Sequence, residues 1–448
     1  MAPALVLALV FAPPPEPADA GAPAEQLSVP PPRPVEPETE VEVEVEVETE
    51  VEVEVEADTA DSEPAPEPPG DPTWQATGFV DVAYAFSSNW ADNHVYRGMV
   101  TNPRLTELGV NAIGAFLRHP LTERQPWWLE VGLHAGASVD ALTAGEPVAG
   151  GEDGAFAGRE VYKHIALANA GFRVRRTGTS FGAGVFEGPL GIGSFWTINN
   201  ANYTTSWESN IVPYYLSGAR FGQDLPANFH VDAWVVNGFQ AFSDVNNVPS
   251  GVLTLSWSRP DPDPALGPAA SKRTGVDAGT GVYFGPEGPS LEPEDWLVYW
   301  DTYLSFDFGE RFHLAGVWDL AFDRPGRARD DQSMYTGGAL FFSATAYERE
   351  GVARLNFALR PEASWDRDGR FYGVDQWLLS GTATGNLWLW EHLLLRFEYR
   401  YDHSTAADGF FFRETAIAPQ DSPLAISQHT VFMALAGRWD FWFGRPRD

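Results

Sequence analysis

The most constraining feature of this chain is a strict two-residue alternation that runs from Leu393 to Asp402. Successive side chains of a β-strand point to opposite faces of a sheet, so this segment predicts one apolar and one ionised face. The apolar residues are Leu393, Leu395, Phe397, Tyr399 and Tyr401, and the ionised residues are Arg396, Glu398, Arg400 and Asp402. A soluble sandwich and a membrane barrel can both use such a strand, so the choice between them depends on the whole chain.

The alternation recurs between Trp74 and Phe443 and predicts about 16 strands, within a range of about 14 to 18. The predicted strands are 74–88, 104–117, 126–139, 161–175, 178–187, 213–222, 228–238, 251–258, 275–284, 295–307, 311–323, 334–346, 351–365, 374–387, 390–403 and 428–443. The apolar face of the second strand is assigned to Leu108, Val110, Ala112 and Phe116, opposite Glu107 and Asn111.

The connections between these strands alternate between short turns, such as 176–178, and long loops, such as 188–212. Short turns at one end, long loops at the other and an even number of strands are typical of outer-membrane barrels. The sequence therefore predicts an all-β fold, a transmembrane antiparallel β-barrel over residues 73–443. The Pro-rich connection 259–274 departs from the pattern, because a short turn is expected there.

Composition separates the barrel from the residues before it. Residues 1–20 contain a short apolar run ahead of Ala18-Asp19-Ala20 and are typical of a signal peptide. Residues 21–72 are rich in Pro, Glu and Val, which predicts a disordered acidic linker. A β-strand or a metal-binding polyacid is the alternative for the Val-Glu repeat within it. Residues 444–448 form a short tail after Phe443.

Charge and cysteine content exclude some classes of function. The formal net charge is −33, and residues 1–72 account for −18 of it, so both parts of the chain disfavour nucleic acid binding. The chain has no cysteine, which leaves an exported protein without disulfide bonds. No apolar run reaches the 18 or so residues that a membrane-spanning helix needs.

Several short motifs follow one another in a fixed order along residues 74–443. They are Gly78-Phe79-Val80-Asp81 with Tyr84, Glu107-Leu108-Gly109, Asn199-Asn200-Ala201-Asn202-Tyr203 with Ser206, Val236-Asn237-Gly238, Gly285-Pro286-Glu287, and the segment from Leu394 to Asp402. In this order they resemble the OmpL-like outer-membrane β-barrel porin family of Gram-negative bacteria. The resemblance implies a pore-forming barrel and brings no solute with it. The acidic linker and the tail after Phe443 depart from the family pattern.

The polar parity of the strands supplies the candidate pore-lining residues. These are Asp81, Glu107, Glu130, His134, Asp301, Asp307, Asp319, Arg354, Arg396, Glu398, Arg400, Asp402, Arg438 and Asp440. Two roles remain open for the charges of the segment 396–402. They form a structural ion-pair ladder with Arg438 and Asp440 on the final strand, or they select ions.

The loop from Gly188 to Pro213 is the candidate constriction of the pore. It is rich in Gly, Asn and aromatic residues, and a long loop of this kind can fold against an inner wall. The candidate residues are Asn199, Asn200, Asn202, Tyr203 and Glu208. A plain surface loop is the alternative.

The sequence favours a porin over an enzyme. It lacks His-Glu-x-x-His and phosphate-binding Gly-rich motifs followed by Lys, so we expect no catalytic, cofactor or metal site. The expected function is passive diffusion of small hydrophilic solutes or ions, with mild cation selectivity. The alternative is a plugged barrel with a structural or adhesive role. The expected partners are outer-membrane lipid, the barrel-assembly machinery and the solutes, without nucleic acid, and a homo-oligomer is compatible with this reading.

Overall fold

The structure is a computed structural model that describes residues 74–121, 125–144, 162–243, 248–259, 274–287, 296–309, 311–324, 332–414 and 424–444. Its strands are β1 (Trp74–Ser87), β2 (Leu108–His119), β3 (Trp127–Ala135), β4 (Ile165–Val174), β5 (Thr179–Glu187), β6 (Tyr215–Leu225), β7 (Phe229–Val236), β8 (Ser250–Arg259), β9 (Thr274–Pro286), β10 (Trp296–Phe308), β11 (Phe312–Asp323), β12 (Ser333–Arg349), β13 (Ala353–Asp366), β14 (Gln376–Leu389), β15 (Leu393–Ser404), β16 (Phe411–Phe412), β17 (Leu424–Ala425) and β18 (Ser427–Phe443). One α-helix, α1 (Ala137–Leu142), follows β3. The predicted signal peptide, the acidic linker and residues 445–448 of the tail lie outside the described residues.

Sixteen of these strands form one closed barrel. Each strand pairs antiparallel with its neighbours, and β18 closes the barrel by pairing with both β15 and β1. The two short strands β16 and β17 pair with each other in the connection before β18. The predicted fold and strand number are therefore confirmed. In the described part of the chain, no helix is long and apolar enough to cross a membrane.

The connection after β8 was the exception to the predicted alternation of turns and loops. In the structure β8 pairs directly with β9, so this connection does join two neighbouring strands at the short-turn end. Its residues 260–273 lie outside the described part. The predicted pairing around it is nevertheless correct, because the strand order continues without a break from β7 to β10.

The two faces of each strand differ as the alternation predicts. In β15 the apolar Phe397 is 53% exposed, whereas Glu398 and Arg400 are fully buried. The outer wall is accordingly apolar and the charged side chains point into the barrel, which is the arrangement expected for a barrel in lipid. The interior of a barrel of this strand number is wide enough to hold water unless other parts of the chain fill it.

The second strand corrects part of the face assignment. The β1–β2 pairing slips by one residue after Asp81, so that Ala112 pairs with Asp81 and Val110 pairs with Val82. Such a bulge shifts all later residues of the strand to the opposite face. Leu108 and Val110 do face outward, but Ala112 and Phe116 are buried inside the barrel. Their assignment to the outer face was wrong.

Candidate functional site

Residues 188–214, between β5 and β6, lie inside the barrel and are called the inserted segment below. It contains two 3₁₀ turns, Thr197–Asn199 and Glu208–Asn210. Nearly all of its side chains from Phe195 onward are buried, although the segment pairs with no strand of the barrel. Its contacts are instead with inward-facing side chains of strands on different sides of the barrel, which places it across the lumen.

The first half of the inserted segment packs on an aromatic part of the inner wall. The ring of Trp196 meets Phe116 of β2 edge-on at 4.8 Å, and Phe195 lies 5.8 Å from His134 of β3. Thr197 donates a hydrogen bond from its hydroxyl to the Asp81 carboxylate at 2.7 Å. Burial of these rings anchors this half by the hydrophobic effect.

The charged side chains of β15 bind the middle of the inserted segment. Arg396 donates to the carbonyl oxygens of Thr197 at 2.9 Å and Asn200 at 2.7 Å. Glu398 accepts hydrogen bonds from the backbone N–H of Tyr203 at 2.5 Å and of Thr204 at 2.9 Å. These contacts satisfy buried charges with backbone dipoles, which makes their burial tolerable.

Strand β13, on the far side of β14 from β15, adds a second set of charges that the sequence reasoning missed. Arg360 donates to the carbonyl oxygen of Thr205 at 3.0 Å, and Glu362 accepts from the N–H of Trp207 at 2.5 Å. Glu362 also lies 3.1 Å from Arg400 and 3.2 Å from Arg360. The two-residue alternation of β13 could have identified these residues, because Arg360 and Glu362 flank Pro361, which faces outward.

The predicted ion-pair ladder therefore needs a correction. Arg400 pairs with Asp402 at 2.7 Å and with Glu362 of β13, and not with the final strand. Opposite the charged residues of β15, strand β18 carries Ala434, Phe432 and Thr430. Arg438 and Asp440 lie further towards the short-turn end, where Arg438 donates to the carbonyl of Glu391 at 2.9 Å.

The candidate residues of the inserted segment occupy different positions in it. Tyr203 and Glu208 are buried, and the Tyr203 hydroxyl donates to Asp81 at 3.1 Å. Asn202 donates from its amide to Thr384 of β14 at 2.7 Å. Asn200 binds Ser194 within the segment, and Asn199 is exposed.

Two candidate acids, Asp301 and Asp319, lie side by side on β10 and β11. Both are at most 1% exposed, and Asp319 accepts a hydrogen bond from the Tyr299 hydroxyl at 2.5 Å. One carboxylate oxygen of each acid is buried with no hydrogen-bond partner among the described residues. Neither acid forms an ion pair with a basic side chain of the described strands.

The other candidate residues lie near the two ends of the barrel, and most have local partners. Glu107 pairs with Arg104 at 2.5 Å, and Glu130 pairs with Arg118 at 3.3 Å. Asp307 lies 2.8 Å from His313, and Asp440 accepts a hydrogen bond from Gln75 at 3.0 Å. The Arg354 and Arg438 guanidinium groups lie 6.0 and 4.3 Å from the ring of Trp388. The candidate residues therefore fall into three groups. Some bind the inserted segment, Asp301 and Asp319 form a buried acid pair, and the others lie near the ends of the barrel.

A further charged group on the β4–β7 wall was also missed by the sequence reasoning. Arg220 pairs with Asp232 at 2.7 Å, and His230 lies 2.8 Å from Asp224 and 3.1 Å from Asp232. Arg173 also pairs with Asp224. These residues share the inward parity of their strands, so the parity rule could have found them.

The long-loop end of the barrel is filled by aromatic side chains. The ring of Trp207 lies 5.5 Å from Tyr372 and 6.1 Å from Phe410, which belong to the connections after β13 and β15. All three side chains are completely buried. At the short-turn end the inward residues Asp307, Arg438 and Asp440 are exposed. The lumen is therefore accessible from the short-turn end and packed at the other.

The residues described by the structure contain no group of three or more His, Asp or Glu side chains that could hold a metal ion.

The comparison with protein families decides which kind of barrel this is. Residues 73–436 match the family described as "Putative beta-barrel porin-2, OmpL-like". The chain belongs to this family. It is thus a porin-type channel barrel of the outer membrane of Gram-negative bacteria, which points to a channel rather than an enzyme. No curated protein matches this porin.

Solved structures with a similar fold are outer-membrane proteins of low sequence identity. The outer membrane channel DcaP of Acinetobacter baumannii superposes with a TM-score of 0.50 at 10% identity, covering 82% of this porin and 97% of DcaP. An anion-selective porin from Comamonas acidovorans gives 0.48 at 10% identity, covering 82% and 99%. In-vitro folded OmpT of Vibrio cholerae in a trimer form gives 0.47 at 10% identity, covering 82% and 100%. At such identities the likeness to DcaP shows the fold alone.

Proposed function

We propose that this porin lets small hydrophilic solutes and ions diffuse passively across the outer membrane, with a mild preference for cations. The inserted segment sets the narrowest point, because it crosses the lumen and is bound to two walls. The residues that line the path below it are the inward side chains of the short-turn half.

The observation that carries the cation preference is an excess of inward carboxylates without an arginine partner. In the described strands these carboxylates include Asp81, Asp277, Asp301, Asp307, Asp319, Asp366, Glu398 and Asp440, whereas the inward arginines without a carboxylate partner are Arg354, Arg396 and Arg438. A negative wall raises the local concentration of cations and repels anions. Screening over about 10 Å at 0.1 M salt keeps the preference mild in a wide pore.

The test is the reversal potential of the purified protein in a planar bilayer under a KCl gradient. We expect a cation-selective sign. The double variant Asp277→Asn with Asp307→Asn should move the potential towards zero, since both residues lie in the accessible half. Glu107→Gln is the matched control, because Glu107 pairs with Arg104 at the other end of the barrel. An anion-selective sign would refute the preference and point to Arg354 and Arg438.

A second candidate function has its own support. The complete burial of Trp207, Tyr372 and Phe410 favours a barrel that is plugged at its long-loop end and has a structural or adhesive role. Single-channel recording separates the two: stepwise openings support the pore, and silence at all voltages supports the plug.

We also propose three kinds of partner for this porin. Outer-membrane lipid would cover the apolar outer face, and the barrel-assembly machinery would act on the final strand that ends at Phe443. The outer wall is also compatible with a homo-oligomer, which cross-linking of the native membrane would detect.

A further inference from the structure

A cavity of about 360 Å³ lies between the inserted segment and the inner wall of β10 to β13. The wall contributes Tyr303, Ser305, Phe341 and Ser343, and the inserted segment contributes Asn202. This volume falls in the range of sites that enclose a small molecule. The cavity lies at the proposed constriction, so a solute that crosses the pore would meet these side chains.

The charged side chains at this cavity already have hydrogen-bond or ion-pair partners within the protein. The guanidinium of Arg360 donates to Glu362, to the hydroxyl and carbonyl oxygens of Thr204, to the carbonyl of Thr205 and to the hydroxyl of Thr382. The imidazole of His313 lies 2.8 Å from Asp307. No carboxylate is among the described residues that line the cavity. Neither an anion nor a cation would therefore find a free counter-charge here.

The neutral polar groups at the cavity are free to bind. The hydroxyls of Tyr303, Ser305 and Ser343 make no hydrogen bond to other described side chains or backbone groups. Asn202 is only 2% exposed, and the carbonyl oxygen of its side chain has no hydrogen-bond partner in the described residues. A buried acceptor left unpaired carries a desolvation penalty that a ligand hydroxyl would remove.

The cavity also presents aromatic surface. A Cβ atom at Gly279 would lie 2.4 Å from the Tyr303 ring, so the glycine lets this ring lie close against β9. Phe341 lines the same cavity from β12. Apolar ring surface next to neutral hydroxyl and amide groups suits a molecule that has both C–H faces and many hydroxyls.

We propose that this cavity is a binding site for a small neutral polyol, of the size of a monosaccharide or disaccharide, on its way through the pore. The inference rests on the proposed function only in that the solute reaches the site through the lumen.

The experiment compares three probes of nearly equal size: glucose, gluconate and glucosamine. Isothermal titration with the full chain in detergent measures binding, and single-channel recording measures interruptions of the ion current. We expect glucose to bind at least about 5-fold more tightly than either charged probe, because the site offers hydrogen bonds without a free charge.

Two conservative variants test the site itself. Tyr303→Phe keeps the ring and removes the hydroxyl, and Ser343→Ala removes a second hydroxyl. Each should weaken glucose binding about 5- to 10-fold, the usual effect of losing one hydrogen bond. Tyr401→Phe, on the outer face of β15, is the matched control and should bind as the wild type does.

The outcomes separate the site from the function. A channel that conducts but binds glucose no better than gluconate refutes the site and leaves the pore intact. Glucose binding that Tyr303→Phe weakens, in a protein that never conducts, supports the site and refutes the pore.

Discussion

At the scale of single residues, Glu208 is a buried carboxylate with few hydrogen bonds to offset the loss of water. One of its oxygens accepts hydrogen bonds from Ser206 and Ser209, and the other has no partner in the part of the chain described. Burial and then the neighbouring Glu362 raise the pKa of Glu208 to about 7. The charged or titratable groups that face it are Glu362 and Arg360 of β13, Asp319 of β11, Tyr335 of β12, and Tyr214 and Tyr372 in connections.

This pKa predicts that the inserted segment is held more weakly as the pH rises. A carboxyl with a raised pKa supports the docked state fully below its ordinary value near 4.5, and this support is lost by about pH 7. The difference corresponds to about 3 kcal/mol of docking free energy. Conductance in planar bilayers should therefore increase as the pH rises from about 4.5 to about 7.

Glu208→Gln removes the titration while keeping the shape of the side chain. This variant should show the low-pH conductance at every pH. Glu107→Gln serves as the control, because the exposed Glu107 pairs with Arg104 and should not affect the profile. If Glu208→Gln titrates with the wild-type midpoint, another group controls the segment.

At the scale of elements, the two faces of β15 should respond differently to substitution. Phe397 is 53% exposed near the middle of the strand, so Phe397→Arg would place a charge in lipid and lower the folding free energy by about 2 to 4 kcal/mol. Arg396→Met instead removes hydrogen bonds to the inserted segment and one positive charge. It should raise conductance and shift the reversal potential towards cation selectivity.

A urea titration of folding into lipid vesicles measures the first effect, and bilayer recording measures the second. Phe397→Leu is the control for loss of the aromatic ring without a charge. If Phe397→Arg and Arg396→Met lower stability equally and neither alters conductance, the faces are assigned wrongly.

The strands themselves could be predicted because their information is local. The alternation of β15 places Arg396, Glu398 and Arg400 on one face by geometry alone, and the burial of all three agrees. The bulge at Asn111 could not be predicted in this way, because one extra residue in a strand leaves the composition of its neighbours unchanged. Ala112 and Phe116 were misassigned for that reason.

The partners of the inward charges were beyond the reach of sequence reasoning. Glu362 binds the backbone N–H of Trp207, which is 155 residues away in the chain. Parity shows that Glu362 points inward, but it does not show which loop meets it there. The same limit applied to Arg400. It was expected to pair with charges on β18, but it pairs with Glu362 of β13.

At the scale of the whole molecule, the barrel has two unlike halves. The long-loop half is packed around Trp207, and the short-turn half keeps exposed charged residues such as Arg438 and Asp440. We therefore expect transport through this porin to depend on movement of the inserted segment or of the connections that pack on Trp207. Glu208 lies in the packed half, so its ionisation should control this movement, whereas the exposed charges at the rim should not.

Residues 21–72, which lie outside the described residues, should contribute nothing to the stability of the barrel. Their sequence is acidic and contains no aromatic side chain, so it cannot supply a hydrophobic core. Deleting them should leave the barrel's heat-modifiable, SDS-resistant band and its urea midpoint in vesicles unchanged. Replacing residues 197–208 by a short Gly-Ser linker is the comparison, because it removes buried contacts with β13 and β15 and should lower that midpoint. A shifted band after deletion of 21–72 would mean that the Val-Glu repeat packs on the barrel.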